Sequence, residues 1–219
     1  MNMYSVVVVL GIIIAVLIGI TVMAPAKKTL QTYHTKRNFK NTTEPRGHVK
    51  KRSSQKTLFM IHKHAASHLH YDLRLEIEGV LASWAVPKGP STDPAEKRLA
   101  VQTEDHPYEY GSFEGVIPAG NYGAGTVMVW DTGIYEDLKA EEGTMSDHLA
   151  DGRIEIFLKG KKLKGTYALV KTKRTKSGEP YWLLIKMNDA YAHKPKDPVA
   201  RETRSALTGR TMEEIAQEG

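Results

Sequence analysis

The chain has 219 residues, with 31 Lys or Arg against 25 Asp or Glu and a formal net charge of +6. This length suits one domain with a substantial core and one appendage at most, and it excludes two complete enzymes. Cysteine is absent, which excludes disulfides, zinc fingers, iron–sulfur centres and thiol nucleophiles. Any metal must therefore be held by histidine, carboxylate or backbone oxygen.

The N-terminal segment is strongly apolar. No charged side chain precedes Lys27, and residues 6–24 form an apolar run of 19 residues, which as a helix would be about 28 Å long, near the thickness of a bilayer core. We predict a transmembrane helix over residues 4–25. Because the Lys and Arg residues follow it, the positive-inside rule predicts a single-pass membrane protein with a cytoplasmic C-terminal domain.

Two alternatives apply to the same segment. A cleaved signal peptide is less favoured, because it would need a positive n-region and a shorter apolar stretch. A translation start at Met23 would give a soluble cytoplasmic protein instead.

Residues 26–56 form a basic arm. Ten Lys or Arg and one acidic residue, Glu44, lie between residues 27 and 56. Such a run suits nucleic-acid phosphates or the anionic inner face of a membrane, although a solvated tail has the same composition.

From Thr57 onward, short β-favouring segments are separated by Gly, Pro, Asp and Asn, which predicts a mainly β, antiparallel domain over residues 57–209 with a few short helices. The number of strands suits a barrel or a sandwich. The predicted strands cover residues 57–62, 69–78, 80–86, 99–103, 126–131, 153–158, 166–172 and 181–187. Helices are predicted over residues 140–150 and, from the capping-box pattern Thr211-Met-Glu-Glu, over residues 212–217 within a C-terminal segment 210–219.

The segment 69–77 alternates strictly. Its odd positions are apolar or aromatic, and its even positions are His70, Asp72, Arg74 and Glu76. Side chains two apart on a strand share a face about 7 Å apart. We therefore predict that His70 and Asp72 bind one metal ion with Arg74 beside them.

A third ligand is expected from His62, His64 or His68, and the sequence alone leaves the three open. Imidazole together with a carboxylate suits manganese, zinc, iron or nickel better than magnesium or calcium.

Two long polar loops carry further candidates. His106 and Tyr110 follow a predicted strand, and Lys88 and Arg98 flank a loop rich in Pro and Gly. These side chains could supply hydrogen-bond donors to a phosphate beside the metal.

The residues around the predicted metal site resemble those of a known family. Residues 63–76, Lys-His-Ala-Ala-Ser-His-Leu-His-Tyr-Asp-Leu-Arg-Leu-Glu, are similar to the signature of the 3′-phosphoesterase domain of bacterial and archaeal DNA ligase D. Further blocks follow in family order, and the resemblance covers roughly residues 30–216. These blocks are residues 83–90, 97–101, 104–107, 110–115, 117–127 and 182–186.

The resemblance implies a compact antiparallel β-barrel that uses Mn²⁺ to process 3′ ends of DNA or RNA–DNA, typically on a primer-template. It implies removal of a 3′-terminal ribonucleoside and of a 3′-phosphate, leaving a hydroxyl. With no ligase or polymerase domain in the sequence, a separate ligase or polymerase is expected to act in trans.

Residue roles follow from the same resemblance. It assigns His64, His70 and Asp72 to the metal; Arg74, His106 and Tyr110 to catalysis; and Lys88, Arg98 and Arg37 to the substrate phosphate. Glu44 belongs to the segment that closes over the site. Asn38 departs from the family, which has Asp there, so a negative charge that helps to order the site is missing or supplied elsewhere.

The same residues allow two rival interpretations. A cupin-like metal enzyme would need a later histidine soon after residues 118–120, and none is present. A catalytically weak or inactive nucleic-acid-binding module of the same fold would bind phosphates through the basic arm and residues 159–164 without turnover.

Overall fold

The computed structural model describes residues 28–51, 57–172, 180–193 and 198–218. Ten strands lie in these ranges: β1 (Thr57–Ala65), β2 (Leu69–Ile77), β3 (Val80–Val86), β4 (Lys97–Gln102), β5 (His106–Pro107), β6 (Gly115–Ile117), β7 (Gly125–Asp137), β8 (Arg153–Gly160), β9 (Lys164–Lys171) and β10 (Trp182–Lys186). The helices are α1 (Gln31–Thr35), α2 (Met145–Asp151), α3 (Pro198–Arg201), α4 (Met212–Gln217) and a 3-10 helix, Tyr108–Ser112.

Eight of these strands close into an antiparallel barrel. Their order is β1-β2-β3-β4-β10-β9-β8-β7, and β7 pairs back onto β1, so that none of the eight keeps a free edge. The short strands β5 and β6 pair with β3 and β7 outside this ring. The predicted mainly β fold is confirmed, and the eight predicted strands are the eight that form the barrel.

The barrel interior is apolar. Tyr71 and Leu73, odd positions of β2, are buried there, together with the fully buried Trp84 and Trp182, whose rings meet edge to face with centroids 5.6 Å apart. The even positions of β2 therefore point to the outer surface of the barrel wall.

Part of that outer surface is covered by the basic arm and by the segment between β4 and β7. Tyr33 of α1, Tyr110 of the 3-10 helix and Ile117 of β6 pack in a second apolar cluster with Met60 and Leu81 of the barrel wall. The strands β1 to β3 consequently lie between two packed layers, and polar side chains on their outer face are buried.

The helices near the C-terminus follow their capping residues. Thr144 and Asp147 form a capping box that begins α2, so the helix starts later than the predicted residue 140. Thr211 and Glu214 form the predicted capping box of α4, which confirms the helix over residues 212–217.

The membrane prediction requires correction. Within the described part of the chain, no helix is long and apolar enough to cross a membrane. The longest α-helix described, α2, has seven residues, whereas a bilayer core of about 30 Å needs about 20 residues. A transmembrane helix and a single-pass membrane location are therefore not supported, and residues 4–25, to which the helix was assigned, lie outside the described ranges.

Candidate active site

The pairing of β1 with β2 gathers the predicted metal ligands. In this register His64 lies opposite His70, and His62 lies opposite Asp72. His64 Nδ1 is 3.7 Å from one Asp72 carboxylate oxygen, and His70 Nε2 is 3.6 Å from the other. One ligand atom from each of the three residues falls within 4.8 Å of the other two.

Backbone carbonyls orient both imidazoles toward this point. His64 Nε2 donates to the Gly123 carbonyl oxygen at 2.9 Å, and His70 Nδ1 donates to the His68 carbonyl oxygen at 2.9 Å. Because a carbonyl oxygen only accepts, the other nitrogen of each ring is left with its lone pair facing Asp72. Metal-binding histidines have this tautomer and this hydrogen bond from the non-ligating nitrogen, so the residues fit a divalent transition metal.

Arg74 fixes the electrostatics of the cluster. Its guanidinium donates to Asp72 at 3.1 Å, to His62 Nδ1 at 3.1 Å and to Ser83 Oγ at 2.8 Å. Burial opposes ionisation of Asp72, but Arg74, His64 and His70 outweigh it and lower the pKa of that carboxyl to about 2. Asp72 is therefore an anionic ligand at neutral pH.

His62 also belongs to the site, as a hydrogen-bond acceptor for Arg74, which is a role that the sequence did not predict. It is fully buried, and burial together with the Arg74 guanidinium lowers its pKa to about 3, so the neutral ring accepts from Arg74. Of the three histidines left open, only His64 groups with His70 and Asp72; His68 is exposed and contributes its backbone carbonyl.

A second network joins the arm to the barrel. Arg37 donates to Glu44 at 2.9 Å, to Glu104 at 2.9 Å and to His106 Nε2 at 3.2 Å. His106 Nδ1 donates to the Glu104 carbonyl oxygen at 2.9 Å, which leaves Nε2 as the acceptor. Burial and the neighbouring Arg74 and Arg37 hold the pKa of His106 well below its usual value, so this imidazole is neutral.

Tyr110 packs between these two networks. Its ring lies 4.8 Å from the Arg74 guanidinium and 4.8 Å from the His106 ring centroid. Burial holds the pKa of its phenol well above the usual value, so Tyr110 is a neutral group and no source of phenolate.

The ligands and both networks open onto one cavity of about 300 Å³. Its lining includes seven of the nine predicted site residues and seven residues that the sequence did not predict. The predicted residues are Arg37, His64, His70, Asp72, Arg74, His106 and Tyr110, and the additional ones are Ala66, Ala85, Thr103, Glu104, Ile117, Tyr122 and Gly123.

Two of the nine predicted site residues, Lys88 and Arg98, lie outside this lining. Lys88 is exposed in the turn after β3. Arg98, on β4, donates to Glu96 at 2.6 Å. The structure therefore does not bring these two cations together with the metal cluster.

Glu104 was missed as a site residue, although its place two residues before His106 was a usable signal. Burial opposes ionisation of its carboxyl, but hydrogen bonds from Arg37 and Lys36 outweigh it and lower the Glu104 pKa. It is thus a buried anion that holds the arm against the site.

The wall of this small β-barrel carries two imidazoles and a carboxylate, with buried guanidinium groups beside them. These groups define a protein with a candidate metal centre suited to a phosphate ester. The family model of the DNA Ligase D 3′-phosphoesterase domain matches residues 62–171. The chain belongs to this family, which confirms the resemblance and implies a phosphoesterase.

Curated relatives agree with this assignment. The chain is 44% identical over 192 residues to the multifunctional non-homologous end joining protein LigD of Pseudomonas aeruginosa, covering 86% of the chain and 22% of that protein. It is 43% identical over 176 residues to the LigD protein of Mycolicibacterium smegmatis, covering 80% of the chain and 22% of the relative. The chain therefore spans about a fifth of the length of these relatives.

Proposed function

We propose that the chain is a metal-dependent DNA 3′-end-processing phosphoesterase, which removes a 3′-phosphate and a 3′-terminal ribonucleoside to leave a 3′-hydroxyl. One observation carries the proposal: two backbone carbonyls orient His64 and His70 so that both lone pairs face Asp72. Family membership supports the ester chemistry, and the names of the relatives support a role in end joining.

His64, His70 and Asp72 would hold the metal, which we propose to be Mn²⁺, with other divalent transition metals as alternatives. When bound, such an ion polarises a phosphate oxygen and offsets its charge. Asp72 supplies the anionic ligand because Arg74 keeps it ionised.

The protein's own cations would complete the phosphate site. Arg74 lies in the cavity beside the ligands and would stabilise charge on the phosphate. Arg37 already bonds two carboxylates, so its proposed role is to position His106 and to add positive charge. Lys88 and Arg98 remain proposed phosphate contacts outside the cavity lining.

His106 and Tyr110 enter as neutral groups. A neutral His106 accepts from Arg37 through Nε2, so transfer of a proton to the leaving oxygen would require His106 to take up that proton first. Tyr110 keeps its phenol proton and can act as a hydrogen-bond donor.

The proposed substrates are 3′ ends of DNA or RNA–DNA on a primer-template. The hydroxyl product is the end that a polymerase extends or a ligase seals. We propose that a ligase or polymerase uses it next. The relatives are named as non-homologous end joining proteins.

The test is an end-group assay with the full chain. Primer-templates carrying a 3′-phosphate or one 3′-terminal ribonucleotide are incubated with Mn²⁺, with Mg²⁺ or with chelator. Conversion to a 3′-hydroxyl end in Mn²⁺, and none in chelator, is the expected result. Salt-sensitive binding without product would instead favour the inactive nucleic-acid-binding module.

A further inference from the structure

An aromatic ring lies at the mouth of the cavity without a role in the proposed chemistry. Tyr122 lies in the turn between β6 and β7, and it lines the same cavity as the three candidate ligands. Its exposed fraction is 49%, whereas Tyr110, which also lines the cavity, is buried. Tyr122 therefore offers apolar ring surface next to the site where a phosphate would be held.

The backbone fixes Tyr122 relative to the metal cluster. The carbonyl of the next residue, Gly123, accepts the hydrogen bond from His64 Nε2. The turn is closed by hydrogen bonds from Asn121 N to the Pro118 carbonyl and from Ala124 N to the Asn121 carbonyl. The ring is thus one residue away from the group that orients a candidate ligand.

Cations lie on the arm side of the ring. Lys36 Nζ donates to the Tyr122 hydroxyl at 3.2 Å and lies 4.6 Å from the ring centroid. The Arg37 guanidinium lies 5.6 Å from the same centroid. Both cations are also paired with Glu104, so they hold the ring in place beside the site. An exposed aromatic ring next to a group that binds phosphate is the combination that holds nucleic-acid ends, where the ring stacks on a base.

We propose that Tyr122 is the stacking platform for the 3′-terminal nucleobase, an inference that rests on the proposed function. A phosphate held at the metal cluster would bring the base of the same nucleotide to the wall of the cavity, which Tyr122 helps to form. Stacking accepts every base, because each has a flat π face. Tyr122 therefore determines preference for an intact terminal nucleotide without reading sequence.

The kinetic test uses the full chain with Mn²⁺ and two primer-templates ending in a 3′-phosphate, one with a normal terminal nucleotide and one with an abasic terminal nucleotide. Tyr122→Ala should raise KM for the normal end about 10- to 100-fold and leave kcat little changed. Tyr122→Phe keeps the ring and should match the parent chain. Tyr191→Ala, an exposed tyrosine outside the cavity lining, is the matched control. On the abasic end, the parent chain and the three variants should all show the raised KM, because no base is present to stack.

A purely structural role for the hydroxyl bond to Lys36 gives a different pattern. Equal losses on both ends for Tyr122→Ala, a loss for Tyr122→Phe, or no change in any variant would each overturn the stacking role.

A binding readout separates this inference from the proposed function. A strand with 2-aminopurine at a 3′-hydroxyl end has nothing left to remove, and its fluorescence should be quenched by the parent chain and by Tyr122→Phe but not by Tyr122→Ala. Quenching without any turnover of the 3′-phosphate would overturn the proposed function and support the platform. Turnover without quenching would overturn the platform alone, and the absence of both would overturn both.

Discussion

His64 donates a hydrogen bond from Nε2 to the carbonyl oxygen of Gly123, 2.9 Å away. This bond fixes the tautomer of the imidazole, so that Nδ1 presents a lone pair toward Asp72. A turn between two strands thereby orients a side chain of a third strand. The candidate metal centre depends on this turn as well as on the three ligands.

The ligand assignment predicts direct effects on metal binding. Replacing His64, His70 or Asp72 by Ala should weaken Mn²⁺ binding more than about 10-fold, because each supplies one of three donor atoms. Electron paramagnetic resonance of free Mn²⁺ would measure this. His68→Ala is the matched control, since His68 contributes its backbone carbonyl and its side chain is exposed. Equal binding by all four variants would contradict the assignment.

The role of the turn in orienting His64 can be tested by substituting two matched glycines. Gly123 and Gly120 both adopt positive φ, 76° and 84°, so an added Cβ should destabilise either site by about 1 kcal/mol. Only Gly123 has its carbonyl bonded to His64, so Gly123→Ala should also weaken Mn²⁺ binding about 10-fold. Gly120→Ala, with nothing within 4 Å of the added carbon, should bind Mn²⁺ normally. Unchanged metal affinity in Gly123→Ala would argue against the orienting role.

The departure at Asn38 is expected to have little effect. Asn38 is exposed, and its side-chain oxygen accepts from the Lys40 backbone N–H, a bond that Asp would also make. Arg37 is already neutralised by Glu44 and Glu104. Asn38→Asp should therefore change turnover less than about twofold, whereas Glu44→Gln should lower it about 10-fold through loss of a charged hydrogen bond. A large gain of activity in Asn38→Asp would show that the missing charge matters.

Stability should fall in mild acid. The pKa of His106 lies well below 6.5 in the folded state, because of burial and the nearby guanidinium groups. Below pH 6.5 the unfolded chain therefore binds a proton that the folded chain does not, and the free energy of unfolding decreases by up to about 1.4 kcal/mol per pH unit for this group. Above pH 6.5 the contribution is fully present.

Urea unfolding between pH 7 and pH 5 would measure this dependence. Because His62, with its pKa lowered to about 3, contributes in the same direction, His106→Asn should reduce the slope by up to about 1.4 kcal/mol per pH unit and leave the part that His62 contributes. An identical slope in His106→Asn and in the parent chain would contradict the pKa argument.

Much of the barrel could be predicted because strand alternation is a local signal. The pattern of residues 69–77 indicated which face of β2 is apolar, and the interior core contains those residues. The eight barrel strands were found for the same reason. The short strands β5 and β6 were missed, since two or three residues carry no measurable period.

The site was predictable only up to the pairing of strands. Choosing His64 over His62 required the β1–β2 register and the contact between His62 and Arg74, and both depend on tertiary structure. Lys88 and Arg98 were assigned to a phosphate from loop composition and from the resemblance, and their place outside the cavity lining likewise depends on tertiary structure. The resemblance supplied residue roles that spacing alone left open.

The metal centre can be tested by comparing the full chain with Asp72→Ala on a primer-template ending in a 3′-phosphate, at saturating Mn²⁺. We expect release of inorganic phosphate and a 3′-hydroxyl end by the parent chain, and none by Asp72→Ala, because the anionic ligand is lost. Near-normal turnover by folded Asp72→Ala, or turnover by the parent chain that persists in chelator, would contradict the metal centre.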